Sequence, residues 1–120
     1  MMRPINLCSK FNSFSDYWSP KVIAEMNNYQ FKLVKIKGEF IKHQHSDTDE
    51  VFIVVEGKMN IEFETNTIEI KSGEMVVVPK GVMHKPFSID ECKVMLVEPR
   101  GVLNTGDARG DMTAPNDRWI

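Results

Sequence analysis

Residues 38–57, GEFIKHQHSDTDEVFIVVEG, combine two histidines, a carboxylate and a continuous apolar run in one segment. His43 and His45 stand two residues apart, so on an extended chain both side chains project from the same face. Glu50 then opens the run Val51–Val55, which is typical of a strand buried on both faces. The segment therefore predicts a β-structure that carries a cluster of polar side chains.

A second segment, residues 73–84 with the sequence GEMVVVPKGVMH, has a related arrangement. The apolar run Met75–Val78 indicates another deeply buried strand. Pro79 ends that strand, and Gly81 allows the turn that leads to His84, the third and last histidine of the chain.

Around these segments the dominant pattern has a period of two residues rather than 3.6. Apolar residues alternate with polar ones in three places: Phe31 and Leu33; Met59, Ile61 and Phe63; and Ile68 and Ile70. Turn-forming residues separate the strands at short intervals, and no helix-length window carries an apolar stripe. We predict a single all-β domain, a sandwich or barrel, with one short helical turn near Phe11–Tyr17.

Composition excludes several classes of protein. The chain has 120 residues and 42% apolar residues, as expected of one globular domain. Its 15 basic and 17 acidic residues give a net charge of −2, so we expect no nucleic-acid partner. The longest apolar run is far shorter than a membrane span, and residues 1–11 hold no apolar stretch of signal-peptide length. Two cysteines, Cys8 and Cys92, are too few for a disulfide scaffold, so we expect free thiols and a cytoplasmic location.

Imidazoles and a carboxylate are the ligands expected for a divalent transition metal. A lone His-x-His pair is a weak signal, because surface histidines occur by chance. The pair is stronger here because a carboxylate on the next strand and a third imidazole on a later one can close a site inside a barrel.

The two segments also resemble a known family. Gly38-x4-His43-x-His45-x4-Glu50-x6-Gly57 resembles the first motif of the cupin superfamily, and Gly73-x5-Pro79-x-Gly81-x2-His84 resembles the second. The spacing from Gly38 to His43 is one residue shorter than the family usually has. Within the superfamily, the chain is most similar to small single-domain cupins labelled mannose-6-phosphate-isomerase-like.

The resemblance implies a double-stranded β-helix, the cupin-type jelly-roll barrel. It also implies that His43, His45, Glu50 and His84 bind one divalent transition metal ion: iron, manganese, nickel, zinc or copper. Glu50 is in addition the candidate catalytic residue, because a ligand carboxylate can also accept a proton. A small-molecule ligand would then occupy the barrel.

Three regions follow from these predictions. Residues 29–98 form the cupin barrel. Residues 1–28 are partly strand and contact the second copy in a homodimer, which the resemblance implies and exposed sheet edges favour. Residues 99–120 are a polar tail that is either loosely held or a strap over the barrel or the dimer partner. Trp119 favours the strap, because a large ring prefers a surface to pack on.

Three functions remain open. The first is a metal-dependent enzyme, with dioxygenase-like oxidoreductase chemistry favoured. The second is a non-catalytic module that binds a small molecule or a sugar. The third is a sugar isomerase or epimerase, for which Lys80, Lys85 and Arg100 are candidate phosphate-binding cations, although each is more simply a solvated surface charge.

Strand parity gives an expectation for the walls of the cavity. Phe52, Val54 and Ile41 point inward if Glu50 and the histidines do. The face formed by Met59, Ile61 and Phe63 mostly fills the core, with one or two of these residues in the cavity wall. Core filling is also the expectation for three methionines: Met75, Met83 and Met95.

Overall fold

The computed structural model describes residues 2–120. One helix is followed by seven strands: α1 (Leu7–Phe11), β1 (Lys21–Met26), β2 (Tyr29–Glu39), β3 (Glu50–Glu56), β4 (Lys58–Glu62), β5 (Thr67–Lys71), β6 (Met75–Val78) and β7 (Lys85–Pro99). All strand pairs are antiparallel, and the chain forms one all-β jelly-roll domain, as predicted.

The last strand, β7, organises the barrel. The strand order is β1-β2-β7-β3-β6, and β4 pairs with both β5 and β7. β7 has 15 residues and is long enough to pair with three strands, β2, β3 and β4. Its inward residues, together with those of β2, β3 and β4, form the main core, which includes Val34, Val54, Met59 and Val94.

Gly57 shows why a glycine is needed in the tight turn between β3 and β4. Its φ is +95°, in the left-handed region that side chains disfavour. A Cβ there would also lie 3.1 Å from the carbonyl oxygen of Glu91 and 3.3 Å from the Cα of Cys92. The β3–β4 turn can therefore pack directly on β7.

The helical prediction was misplaced. The helix begins at Leu7 because the side chain of Asn6 accepts a hydrogen bond from the backbone N–H of Ser9, a standard N-cap. It ends at Phe11, and Phe14–Tyr17 are not helical. The buried Phe11 packs with Ile23 and Leu33 in a second apolar cluster on the outer face of the sheet.

This second cluster covers the outer face of β2. Phe31 and Leu33 face outward, toward the helix, while Gln30 and Lys32 are buried in the barrel interior. Both faces of the strand are therefore covered, one by the barrel core and the other by the second apolar cluster.

The predictions for β6 and for two methionines were wrong. β6 was expected to be deeply buried, but among residues 2–120 it pairs only with β3, and Met75 and Val77 are 57% and 49% exposed. Met83 is also exposed, on the loop before His84. Met95 is half-buried and packs against the outer cluster. Within residues 2–120 no helix is long and apolar enough to cross a membrane.

The polar tail lies across the barrel as a strap. The backbone N–H of Ile120 donates to the carbonyl of Val22, and the N–H of Val22 donates to the carbonyl of Arg118. The Asn104 amide donates to the Trp18 carbonyl at 2.9 Å. The ring of Trp119 is half exposed, so backbone pairing rather than burial of this ring holds the end of the strap.

Candidate metal centre

Two of the three histidines are brought together by backbone pairing. The N–H of His43 donates to the carbonyl of His84 at 2.9 Å, and the N–H of His84 donates to the carbonyl of His43 at 2.8 Å. Residues paired in this way face each other across two strands. The imidazole centroids are consequently 4.3 Å apart, although the residues are distant in sequence.

The backbone also selects the tautomer of these two rings. Nδ1 of His43 lies 3.0 Å from the carbonyl oxygen of Ile41, and Nδ1 of His84 lies 2.9 Å from that of Val82. A carbonyl only accepts, so each Nδ1 carries the hydrogen and donates it. The lone pair is then on Nε2, which is free to bind a metal.

His45 and Glu50 complete the cluster. The N–H of Gly81 donates to the carbonyl of His45 at 2.8 Å, which ties this segment to the loop after β6. Glu50 is the first residue of β3 and points into the barrel. Its Oε1 lies 3.2 Å from Nε2 of His45 and 3.3 Å from Nε2 of His84.

These four residues fit a metal ion. All four are buried, and one ligand atom from each lies within 4.8 Å of the others. Nε2 of His45, Oε1 of Glu50 and Nε2 of His84 have no hydrogen-bond partner within the described part of the chain. Unpaired polar atoms at such depth are costly, and a cation bound between them would satisfy all three. Nitrogen and oxygen donors suit several divalent transition metals and do not select one.

The electrostatics of the cluster favour the forms that bind metals. Burial lowers the pKa of His43 to about 4, which keeps its imidazole neutral at physiological pH. Burial alone would raise the pKa of Glu50, but the adjoining imidazoles of His45 and His84 lower it by more. The pKa of Glu50 is therefore held well below its usual range, and the carboxylate stays ionised.

A small cavity adjoins the cluster. Its volume is about 30 Å³, room for one or two water molecules. Its walls are mostly apolar: Trp18, Pro20, Val34, Ile36, Phe40, Phe52, Met59, Pro86, Val94 and Leu96. His43, Glu50 and Asn104 are its polar lining residues.

Only some of the residues predicted to line the cavity do so. Phe52 and Met59 line the cavity, whereas Val54 and Ile61 are buried in the core and Ile41 is not a lining residue. Two lining residues outside the barrel strands, Trp18 and Asn104, were not predicted as part of the site. The sequence gives only a weak signal for these two residues: Trp18 is apolar within a mixed segment, and Asn104 is one amide within a polar tail.

The predicted cations do not reach this cavity. Nζ of Lys85 pairs with Glu39 at 2.9 Å, and Nε of Arg100 pairs with Glu25 at 2.7 Å. Lys80 is exposed. Among residues 2–120, no lysine or arginine lines the cavity beside the cluster.

A buried ion pair behind Glu50 was also missed. Nζ of Lys32 donates to Oε1 of Glu98 at 2.9 Å and to the carbonyl of Val102 at 3.2 Å. Lys32 is 3% exposed and Glu98 is 0% exposed. Burial and the neighbouring Glu50 raise the pKa of Glu98, although Lys32 opposes this shift. The signal was available, because Glu98 continues the inward parity of Cys92, Val94 and Leu96.

The C-terminal strap presses on the segment that carries two of the histidines. The N–H of Asp107 donates to the carbonyl of Gln44 at 3.0 Å. Gly106 has a φ of +59°, and a Cβ at this position would overlap the Gln44 carbonyl oxygen and lie 3.1 Å from Nδ1 of His45. A glycine is therefore required for the strap to lie this close to the cluster.

Comparison with known proteins agrees with this architecture. The Cupin_2 family model, described as Cupin domain, matches residues 32–98, which is more than half of the chain. The chain is a cupin. The match contains all four residues of the cluster, both motifs and most of β7.

Two solved structures and one curated protein are similar to this cupin. A cupin-2 domain protein from Shewanella frigidimarina is 59% identical, with a TM-score of 0.80, over 80% of this chain and 94% of that one. A protein from Neisseria meningitidis is 37% identical, with a TM-score of 0.75, over 81% of this chain and 99% of that one. The uncharacterized protein YdbB of Bacillus subtilis is 33% identical over 89 residues, 73% of this chain and 79% of its own.

Proposed function

We propose that this cupin is a metal-dependent enzyme, of the dioxygenase-like oxidoreductase class, that acts on a small chelating metabolite. One observation carries the proposal: the buried cluster meets an apolar cavity through His43 and Glu50. A structural metal site is normally closed by its protein ligands, whereas a catalytic site keeps a position for substrate. Three imidazoles and one carboxylate would leave positions open on a six-coordinate ion.

The metal ion, the apolar walls and Glu50 would have different roles in the reaction. A bound divalent iron or similar ion would supply Lewis-acid and redox chemistry. Apolar walls such as Phe52 and Leu96 shield the site from bulk solvent, which strengthens the electrostatic interactions inside. Glu50 is the only carboxylate that lines the cavity within residues 2–120, and its carboxylate would accept the proton of a substrate hydroxyl.

Asn104 does not compete for that role. Its Nδ2 donates to the carbonyls of Trp18 and Met112, and its Oδ1 accepts from the N–H of Ala114. The amide is therefore committed to holding the strap. The absence of a further free acid or base in the described lining is the observation that favours a second candidate, a non-catalytic binding module.

The sugar isomerase or epimerase alternative has less support. A sugar phosphate needs a cationic partner, and the cations considered for it pair with surface carboxylates or face solvent. The resemblance to the mannose-6-phosphate-isomerase-like group therefore stays an expectation.

Oxygen consumption by iron-loaded protein tests the proposal. We expect a catechol or another enediol to be consumed together with O2, and Glu50→Gln to abolish the reaction. Tight binding of such chelators without turnover would replace the enzyme with the binding module. Protein that takes up no metal and binds no chelator would contradict both.

We also propose that two copies associate through the outer face of β3 and β6. Cross-strand rows there are apolar: Val77, Val51 and Val97 form one, and Met75, Ile53 and Met95 form the next. Met75 and Val77 are exposed at the end of each row, and among residues 2–120 the outer edge of β6 has no partner strand. Exposed apolar side chains at such an edge support association with a second copy of the same chain.

A further inference from the structure

The cavity has one wall that is not part of the barrel. Trp18 belongs to the segment between α1 and β1, and its indole ring stacks on the ring of Phe40. The ring centroids are 4.6 Å apart, with an angle of 13° between the planes. The remaining apolar walls come mainly from strands, whose backbone ladders fix them in place.

The backbone of Trp18 is strained. Its φ is +60°, in the left-handed region that bulky residues rarely adopt and that is maintained only where surrounding contacts enforce it. Three hydrogen bonds hold Trp18 in this conformation. The N–H of Trp18 donates to the backbone carbonyl of Lys35, and its indole Nε1 donates to the backbone carbonyl of Lys37 at 3.0 Å. The Trp18 carbonyl accepts from the side-chain amide of Asn104 at 2.9 Å.

Phe40 connects Trp18 with the candidate metal ligands, because it contacts both Trp18 and His43. Phe40 meets His43 edge to face, with centroids 5.4 Å apart. Apart from Asn104, whose amide holds the strap, the polar lining residues are the candidate metal ligands His43 and Glu50, and the rest of the lining is apolar. A ligand that suits this distribution has its chelating atoms at one end and an apolar body at the other.

The present volume sets a further condition. About 30 Å³ holds water but no organic ligand, so a wall has to move for binding. Displacing a strand would break ladder hydrogen bonds. Displacing the Trp18 indole breaks one hydrogen bond, to Lys37, and its stack on Phe40, which a flat ligand can replace.

We propose that the centre takes a small chelator with a flat aromatic body, of the catechol class, and that Trp18 moves to stack on that body opposite Phe40. The inference rests on the proposed function, because it needs a metal bound by the cluster. Trp18 is then a specificity-determining residue, and the site discriminates against aliphatic chelators of similar metal affinity.

Tryptophan fluorescence reports this directly. The chain has two tryptophans, so Trp119→Phe leaves Trp18 as the only tryptophan. The variant is loaded with zinc, which is redox-inert, and is titrated without oxygen with catechol and with acetohydroxamate. We expect catechol to change the Trp18 emission saturably and acetohydroxamate to bind with little change.

Calorimetry on a Trp18 series gives the second readout. Trp18→Ala should weaken catechol binding about tenfold by removing one stacking partner, and should leave acetohydroxamate within about twofold. Trp18→Phe should keep the preference for catechol, and Trp119→Phe serves as the matched control.

The outcomes separate the two claims. If zinc binds and both chelators bind, but Trp18→Ala weakens them equally or catechol leaves the Trp18 emission unchanged, the aromatic specificity is wrong and the metal centre stands. If neither chelator binds to the zinc-loaded protein, the proposed function fails together with the inference.

Discussion

At the scale of single residues, the candidate ligands are held to different degrees. His43 and His84 are fixed by hydrogen bonds from Nδ1 to backbone carbonyls, whereas Oε1 of Glu50 faces Nε2 of His45 and His84 without a hydrogen bond. Glu50 is also the one carboxylate among the four candidate ligands.

Glu50→Gln tests the site with little change of shape. We expect metal affinity to fall at least tenfold, because even the loss of an outer partner of a ligand typically costs about 10- to 100-fold. Elemental analysis after dialysis measures the effect. Glu39→Gln removes an exposed carboxylate of the same type and should retain the metal. Equal metal content in the two variants would exclude Glu50 as a ligand.

His43 predicts a pH dependence for the metal-free protein. Its pKa is about 4 when folded and 6.5 as an ordinary histidine, so between these values the unfolded state binds the additional proton. Stability should therefore rise from pH 4 to 6.5 by about 3 kcal/mol from this residue and gain nothing from it above 6.5. Urea unfolding across this range measures it. The same slope in His43→Gln would show that another group is responsible.

Removing Lys32 from its buried ion pair with Glu98 should strongly lower the free energy of unfolding. Lys32→Met leaves the Glu98 carboxyl buried without its cation, which should cost about 3–5 kcal/mol in the free energy of unfolding. Adding Glu98→Gln should recover much of this loss. Lys85→Met breaks a surface pair and should cost less than about 1 kcal/mol. Denaturant titration of the three variants measures these changes in the free energy of unfolding. Similar losses of stability in Lys32→Met and Lys85→Met would contradict the prediction.

At the scale of elements, the strap and the barrel meet at Gly106. Gly106→Ala would force apart the strap and the carbonyl of Gln44, so we expect about 1–3 kcal/mol of destabilisation and weaker metal binding through displacement of His45. Gly110→Ala is the matched control, because a Cβ there meets no atom within 4 Å and φ is not positive. Thermal unfolding with and without zinc measures both effects. Wild-type behaviour of Gly106→Ala would mean that the strap does not position the site.

The elements also show what the sequence can predict. Period two identified β4 and β5 because each has one face on the core and one in solvent. It also identified β2 as a strand, but it did not show that the outer face of β2 is covered by α1, since burial by a segment distant in sequence leaves no local periodicity. The histidine motif marked the cluster because its spacing is local, whereas Trp18 and Asn104 reach the cavity only through tertiary packing.

At the scale of the molecule, the outer face of β3 and β6 predicts self-association. Val77→Glu places a charge in an exposed apolar row and should convert a dimer to a monomer. Ile89→Glu, at a position that is 80% exposed and outside those rows, should leave the dimer intact. Light scattering after size-exclusion chromatography measures the mass. A monomeric wild type, or a dimer that persists in Val77→Glu, would remove this interface.

The position of β7 has a consequence for the order of folding. β2, β3 and β4 all pair with β7, and residues 40–84 separate β2 from it in the sequence. Such non-local pairing makes folding slow, and β2, β3 and β4 lack this common partner until residues 85–99 join them. The candidate ligand His84 lies just before β7 and pairs with His43, so a metal ion would be bound late. In a refolding experiment, metal uptake should follow the kinetics of barrel closure rather than those of the initial collapse.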